Sequence, residues 1–306
     1  MAFELPAVDP ASVAKWCDVH LGSPAERELF RKRHLTCVIG TRLSDGREVV
    51  VRIRPVAPRI AVCTEVQRRL FDSGYPCPEP LAGPAPLDGY EATAESYIAG
   101  GTTLPDSGRT AEPFATALAQ LVQRAPQAEH MASLAPPPAW AAWNHHEDGL
   151  WPWPSDLDVD LNRLGGCDWI DAAGKAARQK LQEGTERAVI GHGDWITDNL
   201  RWDGDRLLVV YDWDSLIGDD EAVIAGLAAA IYLCPAITSM TETCEFLDAY
   251  ATARGRPFSP GERERCWAAG VWTRAFEAKQ EQAAGRQIIS LTEDEARERL
   301  RRAGIG

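Results

Sequence analysis

The sequence has no pair of cysteines at C-x-x-C spacing. Its eight, at positions 17, 37, 63, 77, 167, 234, 244 and 266, are scattered, which argues against a zinc site or a compact disulfide framework and makes buried thiols the default. Nor is any apolar run long enough to span a bilayer, since the longest covers only residues 222–234. The opening stretch, MAFELPAVDPASVAKW, lacks a basic segment followed by an apolar core, so no secretory leader is expected and a reducing cytoplasm is the expected setting. Basic charge is also short, with 32 Lys and Arg against 45 Asp and Glu, a net charge of −13. That balance argues against duplex nucleic acid or an anionic membrane as partner and suits a cationic one, although solubility alone explains it equally well. Internal repeats and low-complexity tails are missing too.

What is present is 306 residues with 45% apolar content, enough for one large domain or two joined lobes. The early part reads as strands with one helix. Residues 35–43 and 48–54 are β-rich and flank Ser44-Asp45-Gly46, a hairpin turn signal. Residues 57–71 carry Cys63, Val66 and Leu70 at near-helical spacing, and Ser73-Gly74-Tyr75-Pro76 ends them. A Pro- and Gly-rich connection leads to a strand at 90–98 and to Gly100-Gly101, where the chain can swing away. Residues 1–98 are therefore assigned to a small β-rich lobe and 99–306 to a large helical one. In the latter, Thr110 and Asp168 are expected helix caps, and Ser259-Pro260-Gly261-Glu262 and Thr292 with Glu295 read as capping boxes. Gly226 and its neighbouring alanines permit close helix packing. Residues 125–167, with Pro136-Pro137-Pro138, Trp140, Trp143, Trp151, Trp153 and His145-His146, read as an aromatic-pinned insertion.

One stretch, 189–216, concentrates the chemistry. An apolar strand runs into His192-Gly193-Asp194, Asn199 follows after four residues, and a second strand at 207–211 ends in Asp212-Trp213-Asp214. The Asp203-Gly204-Asp205 turn between them suggests a hairpin or near-hairpin that brings Asp194, Asn199 and Asp212 to one end. Phosphoryl transfer needs positioning, charge neutralisation and a carboxylate near the nucleophile's proton. Asp194 is the candidate base, and Asn199 and Asp212 are hard oxygen ligands suited to Mg²⁺. Taken singly, each could instead be a turn residue capping its own backbone. His192 is expected to brace the loop.

This linked pattern resembles the catalytic and metal loops of the aminoglycoside phosphotransferase and choline kinase-like family. The resemblance implies an α+β, protein-kinase-like bilobal fold, a small antiparallel-sheet lobe over a mostly helical one. It also implies use of Mg²⁺ with ATP or GTP, and transfer of the γ-phosphoryl group to a small-molecule hydroxyl acceptor. Val49-Val50-Val51-Arg52 stands where the kinase pattern V-A-I-K would, so Arg52 would reach phosphate and Val50 would cover the base. Glu65 on the next helix is the expected partner of Arg52; the alternative is an exposed i,i+4 pair with Arg69. Arginine for lysine is a departure from the pattern, as is the missing G-x-G-x-x-G loop, whose place would fall near Arg31 to His34. Glu95, Ser96 and Tyr97 occupy the resembled hinge, whose backbone would meet the base. No H-R-D, D-F-G or A-P-E set appears, which argues against a protein kinase.

For the acceptor, the acidic residues Asp214, Asp219 and Asp220, with Glu277, are candidates to line a cleft for an amine-bearing alcohol such as an aminoglycoside. Interaction with a helix N-terminus is the competing explanation for the first three. A choline-like metabolic acceptor, or an idle nucleotide- or antibiotic-binding module, remain alternatives.

Overall fold

The computed structural model describes residues 8–104, 110–184 and 187–306. Residues 1–7, which begin the stretch read for a leader, lie outside these. Five antiparallel strands form the small lobe's sheet: β1 (Ala25–Arg33), β2 (Cys37–Leu43), β3 (Glu48–Arg54), β4 (Pro80–Leu87) and β5 (Tyr90–Ser96), in the order β1-β2-β3-β5-β4. The expected β2–β3 hairpin turns at Gly46, whose φ of 91° lies in the left-handed region that glycine enters freely. Helix α1 (Pro10–Leu21) covers one face, burying Val13, Trp16 and Cys17 against Val49, Val51 and Ile53. Helix α2 (Arg59–Asp72) instead joins the core of the large lobe through Val62, Cys63, Val66 and Leu70.

Three of these elements depart from the sequence reading. β1 reads AERELFRKR and is mostly exposed, a charged edge that blunts strand addition and so carries no apolar alternation. β4, at the opposite edge, tolerates its prolines because one side of it needs no ladder partner. α1 is signalled only by Asp9, which caps it, by Pro10 at its first turn, and by the short Val13, Trp16, Cys17 stripe.

The large lobe contains α3 (Ala111–Arg124), α4 (Asp168–Leu181), α5 (Glu221–Ile231), α6 (Met240–Ala253), α7 (Pro260–Ala283) and α8 (Glu293–Arg302). It also holds four short strands, β6 (Val189–His192), β7 (Leu200–Asp203), β8 (Arg206–Val210) and β9 (Leu216–Asp219). Ser259 closes the expected capping box on α7, Ser239 makes another on α6, and Thr292 accepts from the Glu295 N–H at the start of α8. Asp168 lies in the first turn of α4 rather than capping it; Cys167 takes the cap position. Among the described residues no helix is long and apolar enough to cross a membrane.

The insertion has only short 3-10 turns as regular structure and is held by its aromatics, as its composition suggested. Trp151 is buried against Trp272 (centroids 5.1 Å apart) and Phe276 (6.2 Å), and its Nε1 donates to Asp171. The tightest helix contact is α5 on α7. A Cβ on Gly226 would lie 2.1 Å from the Cys266 carbonyl oxygen and 2.6 Å from its Cα, both backbone atoms that no rotamer change can move. Gly226→Ala is therefore expected to cost about 3 kcal/mol, read as a lower urea midpoint with an unchanged slope.

Candidate active site

Strand β6 pairs with β9, from Val189 opposite Asp219 to His192 opposite Leu216, while β7 and β8 form their own hairpin around Gly204-Asp205. The strands before Asp194 and before Asp212 thus do not form one hairpin, contrary to the sequence reading. Two crosslinks join the units instead: the Gly193 N–H donates to the Ser215 carbonyl (2.7 Å) and the Tyr211 N–H to the Asn199 carbonyl (2.8 Å). The convergence expected of a hairpin is achieved by stitching two ribbons end to end.

Within it, the Asn199 side-chain amide donates to both the backbone carbonyl (2.9 Å) and Oδ2 (2.8 Å) of Asp194. Burial, with the nearby charge of Asp212, pushes the Asp194 carboxyl up to about 7, against the opposing Asn199 bond. His192 accepts from the Asp194 N–H at Nδ1 (3.2 Å), so its proton sits on Nε2 and is donated to the Tyr211 carbonyl (3.0 Å). Burial holds the ring below its ordinary pKa. A neutral, doubly bonded imidazole is a brace, as expected for His192, and leaves no free nitrogen for proton transfer.

Asp212 adopts a left-handed φ of 65°, uncommon for a residue with a side chain and typical of strain held at a working site. Its Oδ2 accepts from Ser215 Oγ (2.8 Å), and its Oδ1 from Arg52 Nη1 (2.9 Å). Arg52, Val50 and Arg54 share the inner face of β3, as alternation predicts. Arg54 approaches Asp214 (3.4 Å), while Arg59 donates to the carbonyls of Asp214, Leu216 and Leu134. The loop 212–216 is therefore gripped from above by three arginines. Burial raises the Asp214 carboxyl, but Arg54 and Arg52 outweigh it and leave it below its ordinary value.

Other placements differ from expectation. Arg52 does not meet Glu65. Glu65 lies on the exposed side of α2 and pairs with Arg69 (2.7 Å). The reason is angular: it stands two residues, roughly 200°, from Cys63 on the buried stripe. The carboxylate beside Arg52 is Glu95, whose Oε1 lies 3.2 Å from Nε. Gln67, one turn past Cys63 on that stripe, donates to the other oxygen of Glu95 (3.0 Å). Glu95 is thus turned inward by its side chain. Its backbone is paired on both sides by β3 and β4, and the N–H groups of Ser96 and Tyr97 are spent on the carbonyls of Glu79 and Glu48. Tyr97 contributes its ring, 5.8 Å from Phe30, and Phe30 lies so close over Gly40 that a Cβ there would overlap it.

The acidic candidates separate. Asp214 serves the arginines, and Asp220 caps α5 and pairs with Arg265 (2.8 Å). Asp219 accepts from Trp143 Nε1 (2.7 Å) and the Asp220 N–H (2.8 Å), and burial raises it to about 6. Of the three, Asp220 alone makes a helix N-terminus contact. Glu277 accepts from the Gln280 side-chain amide (3.1 Å); desolvation, then the charges of Glu281 and Asp156, raise its pKa. Burial, then the charges of Asp194 and Glu277, push the Cys234 thiol up to about 11.

Sequence comparison accords with this geometry. A sequence model of the phosphotransferase enzyme family matches residues 41–268. The chain belongs to that family. No curated protein matches it significantly. Among solved structures this phosphotransferase resembles a spectinomycin phosphotransferase in complex with ADP and spectinomycin (11% identity, TM-score 0.58, 97% of this chain and 94% of that one). It also resembles a type I macrolide 2′-phosphotransferase (17%, 0.56, 99% and 97%) and an ethanolamine kinase from Plasmodium vivax (11%, 0.59, 91% and 82%). At such identities the likeness establishes the kinase-like fold. Because Glu65 makes only an exposed helix pair, Glu65→Ala is expected to change unfolding free energy by no more than about 0.5 kcal/mol, measured by denaturant titration.

Proposed function

We propose that the protein transfers the γ-phosphoryl group of ATP, or of GTP, to a hydroxyl of a small aminated or sugar-like alcohol, an aminoglycoside being the favoured type. The observation that carries this is the meeting of Asp194, Asn199 and Asp212 beneath Arg52. Among the described residues no cluster of three or more His, Cys, Asp or Glu side chains could hold a metal ion unaided. Mg²⁺ takes few protein ligands and completes its shell with water and phosphate oxygens. The bonds from the Asn199 amide nitrogen to Asp194 leave its side-chain oxygen to serve as one ligand, and the Asp212 carboxylate is the other. When bound, the metal would neutralise phosphate charge.

The chain's own groups do the rest. Asp194, with a proton affinity close to neutrality, orients the acceptor hydroxyl and takes its proton as the phosphoryl group departs. Arg52 grips phosphate oxygens by leaving Asp212 for them. Glu277, within electrostatic reach of Cys234 as Asp194 is, and with Asp156 and Glu281 near it, favours an ammonium group on the acceptor. The ADP and spectinomycin in one structural neighbour and the ethanolamine kinase among the others support a small amino alcohol.

A second reading, an idle nucleotide- or antibiotic-binding module, draws on Arg52 standing directly on Asp212. Turnover decides between them. With a panel of aminoglycosides and small amino alcohols, Asp194→Ala is expected to lower transfer by about 10²-fold or more while nucleotide binding persists, and EDTA to abolish it. Nucleotide binding with no transfer by the wild type to any acceptor would favour the idle module.

A further inference from the structure

Arg52 is nearly enclosed, its side chain 11% exposed, and it ties three carboxylates together. Two of them, Asp212 and Asp214, belong to the loop on which the proposed function places the metal. If phosphates and metal engage Asp212, Arg52 must give up its 2.9 Å contact there and turn toward the nucleotide. What stays with it during that exchange is Glu95, on the neighbouring sheet strand and 8% exposed. Glu95 is itself fixed from the opposite side by Gln67, whose side-chain amide also donates to the Pro78 carbonyl (3.0 Å), and Arg68 and Glu79 pair just outside this contact. The chain of contacts runs from helix α2 through Gln67 and Glu95 to Arg52, without using any carboxylate of the helix.

We propose that Glu95, braced by Gln67, is the positioning residue for Arg52, holding the guanidinium by Nε so that its Nη groups face the phosphates of a bound nucleotide. The assignment rests on reading the cleft as a nucleoside triphosphate site. Its physical basis is fork geometry. A guanidinium offers donors along two edges, so one edge can be anchored while the other binds, which a lysine ammonium on a flexible stem does not do. Arginine at position 52 and a carboxylate on β5 rather than α2 are then two parts of one arrangement. Without Glu95, Arg52 would settle fully on Asp212 and Asp214, and nucleotide would have to compete with both.

The test is titration with a fluorescent ATP analogue and Mg²⁺, alongside steady-state kinetics. Glu95→Gln is expected to weaken analogue binding and raise the nucleotide KM by about tenfold, with the acceptor KM changed by less than about twofold. The exchange Glu95→Gln with Gln67→Glu returns the negative charge to the same buried spot from the helix side, and is expected to recover part of the lost affinity. It also carries the test if the single variant fails to fold. Analogue binding by Glu95→Gln within about twofold of wild type, or equal losses in nucleotide and acceptor KM, would overturn the assignment. So would an exchange variant that folds and binds the analogue no better than Glu95→Gln. A wild type that binds analogue but transfers to no acceptor would sink the proposed transferase activity alone, while one that binds no analogue would sink both.

Discussion

A buried guanidinium holds the two lobes in register. Arg52 is almost out of solvent, and an unpaired charge there would be untenable, so burial obliges the fold to bring carboxylates to it. It receives them from both lobes, Glu95 from the sheet and Asp212 and Asp214 from the loop below. Burial acts to lower its pKa, and those three acids outweigh it and raise it. The space left beside this cluster, lined by Arg54, Gln67, Glu95 and Asp214, is about 20 Å³, room for one water molecule. The Arg52–Asp212 contact is the one that the proposed nucleotide phosphates would replace.

The loop under this cluster is held by unusually many backbone-directed bonds, and its strain explains why. Asp212 sits at positive φ, a conformation that a non-glycine residue keeps only when its surroundings determine it. Ser215 takes one carboxylate oxygen, Trp213 Nε1 donates to the Val210 carbonyl (2.9 Å), and His192 spans to the Tyr211 carbonyl. Arg59 gathers the carbonyls that follow. These bonds fix the Asp212 carboxylate relative to Asp194 without any regular strand pairing between the two.

Much of this was legible in the sequence because it is local. His192 to Asp194, Asn199 and Asp212 to Asp214 each sit at a strand end marked by an apolar run, and the alternation of Val50, Arg52 and Arg54 fixes which face they share. Pairing was less legible, because strand partners are chosen by the whole fold: β6 lies against β9, while the strand that ends before Asp212 pairs with β7. The partner of Arg52 escaped for a different reason. Residue type favoured Glu65, but helix phase puts it on the water side, and a polar residue on an apolar stripe, Gln67, was the better signal. β1 and β4 hid because edge strands shed the alternation that central strands need.

The insertion is fastened beside this centre by its indoles. Trp140 Nε1 donates to the Gly193 carbonyl (2.9 Å), one residue before Asp194, and a Cβ on Gly193 would be a tight fit, 3.0 Å from Ile217 and 3.1 Å from the Ser215 carbonyl. Trp143 reaches Asp219 at the far end of the same ribbon, and Trp151 is sunk among the aromatics of α7. Three indoles therefore fasten the segment to Gly193, β9 and α7, and the stretch around Trp153 lines an open pocket of about 1050 Å³ with Ile190 and Ile217. Loops on a fixed scaffold are where specificity is free to vary. In this protein the scaffold extends into the loop itself.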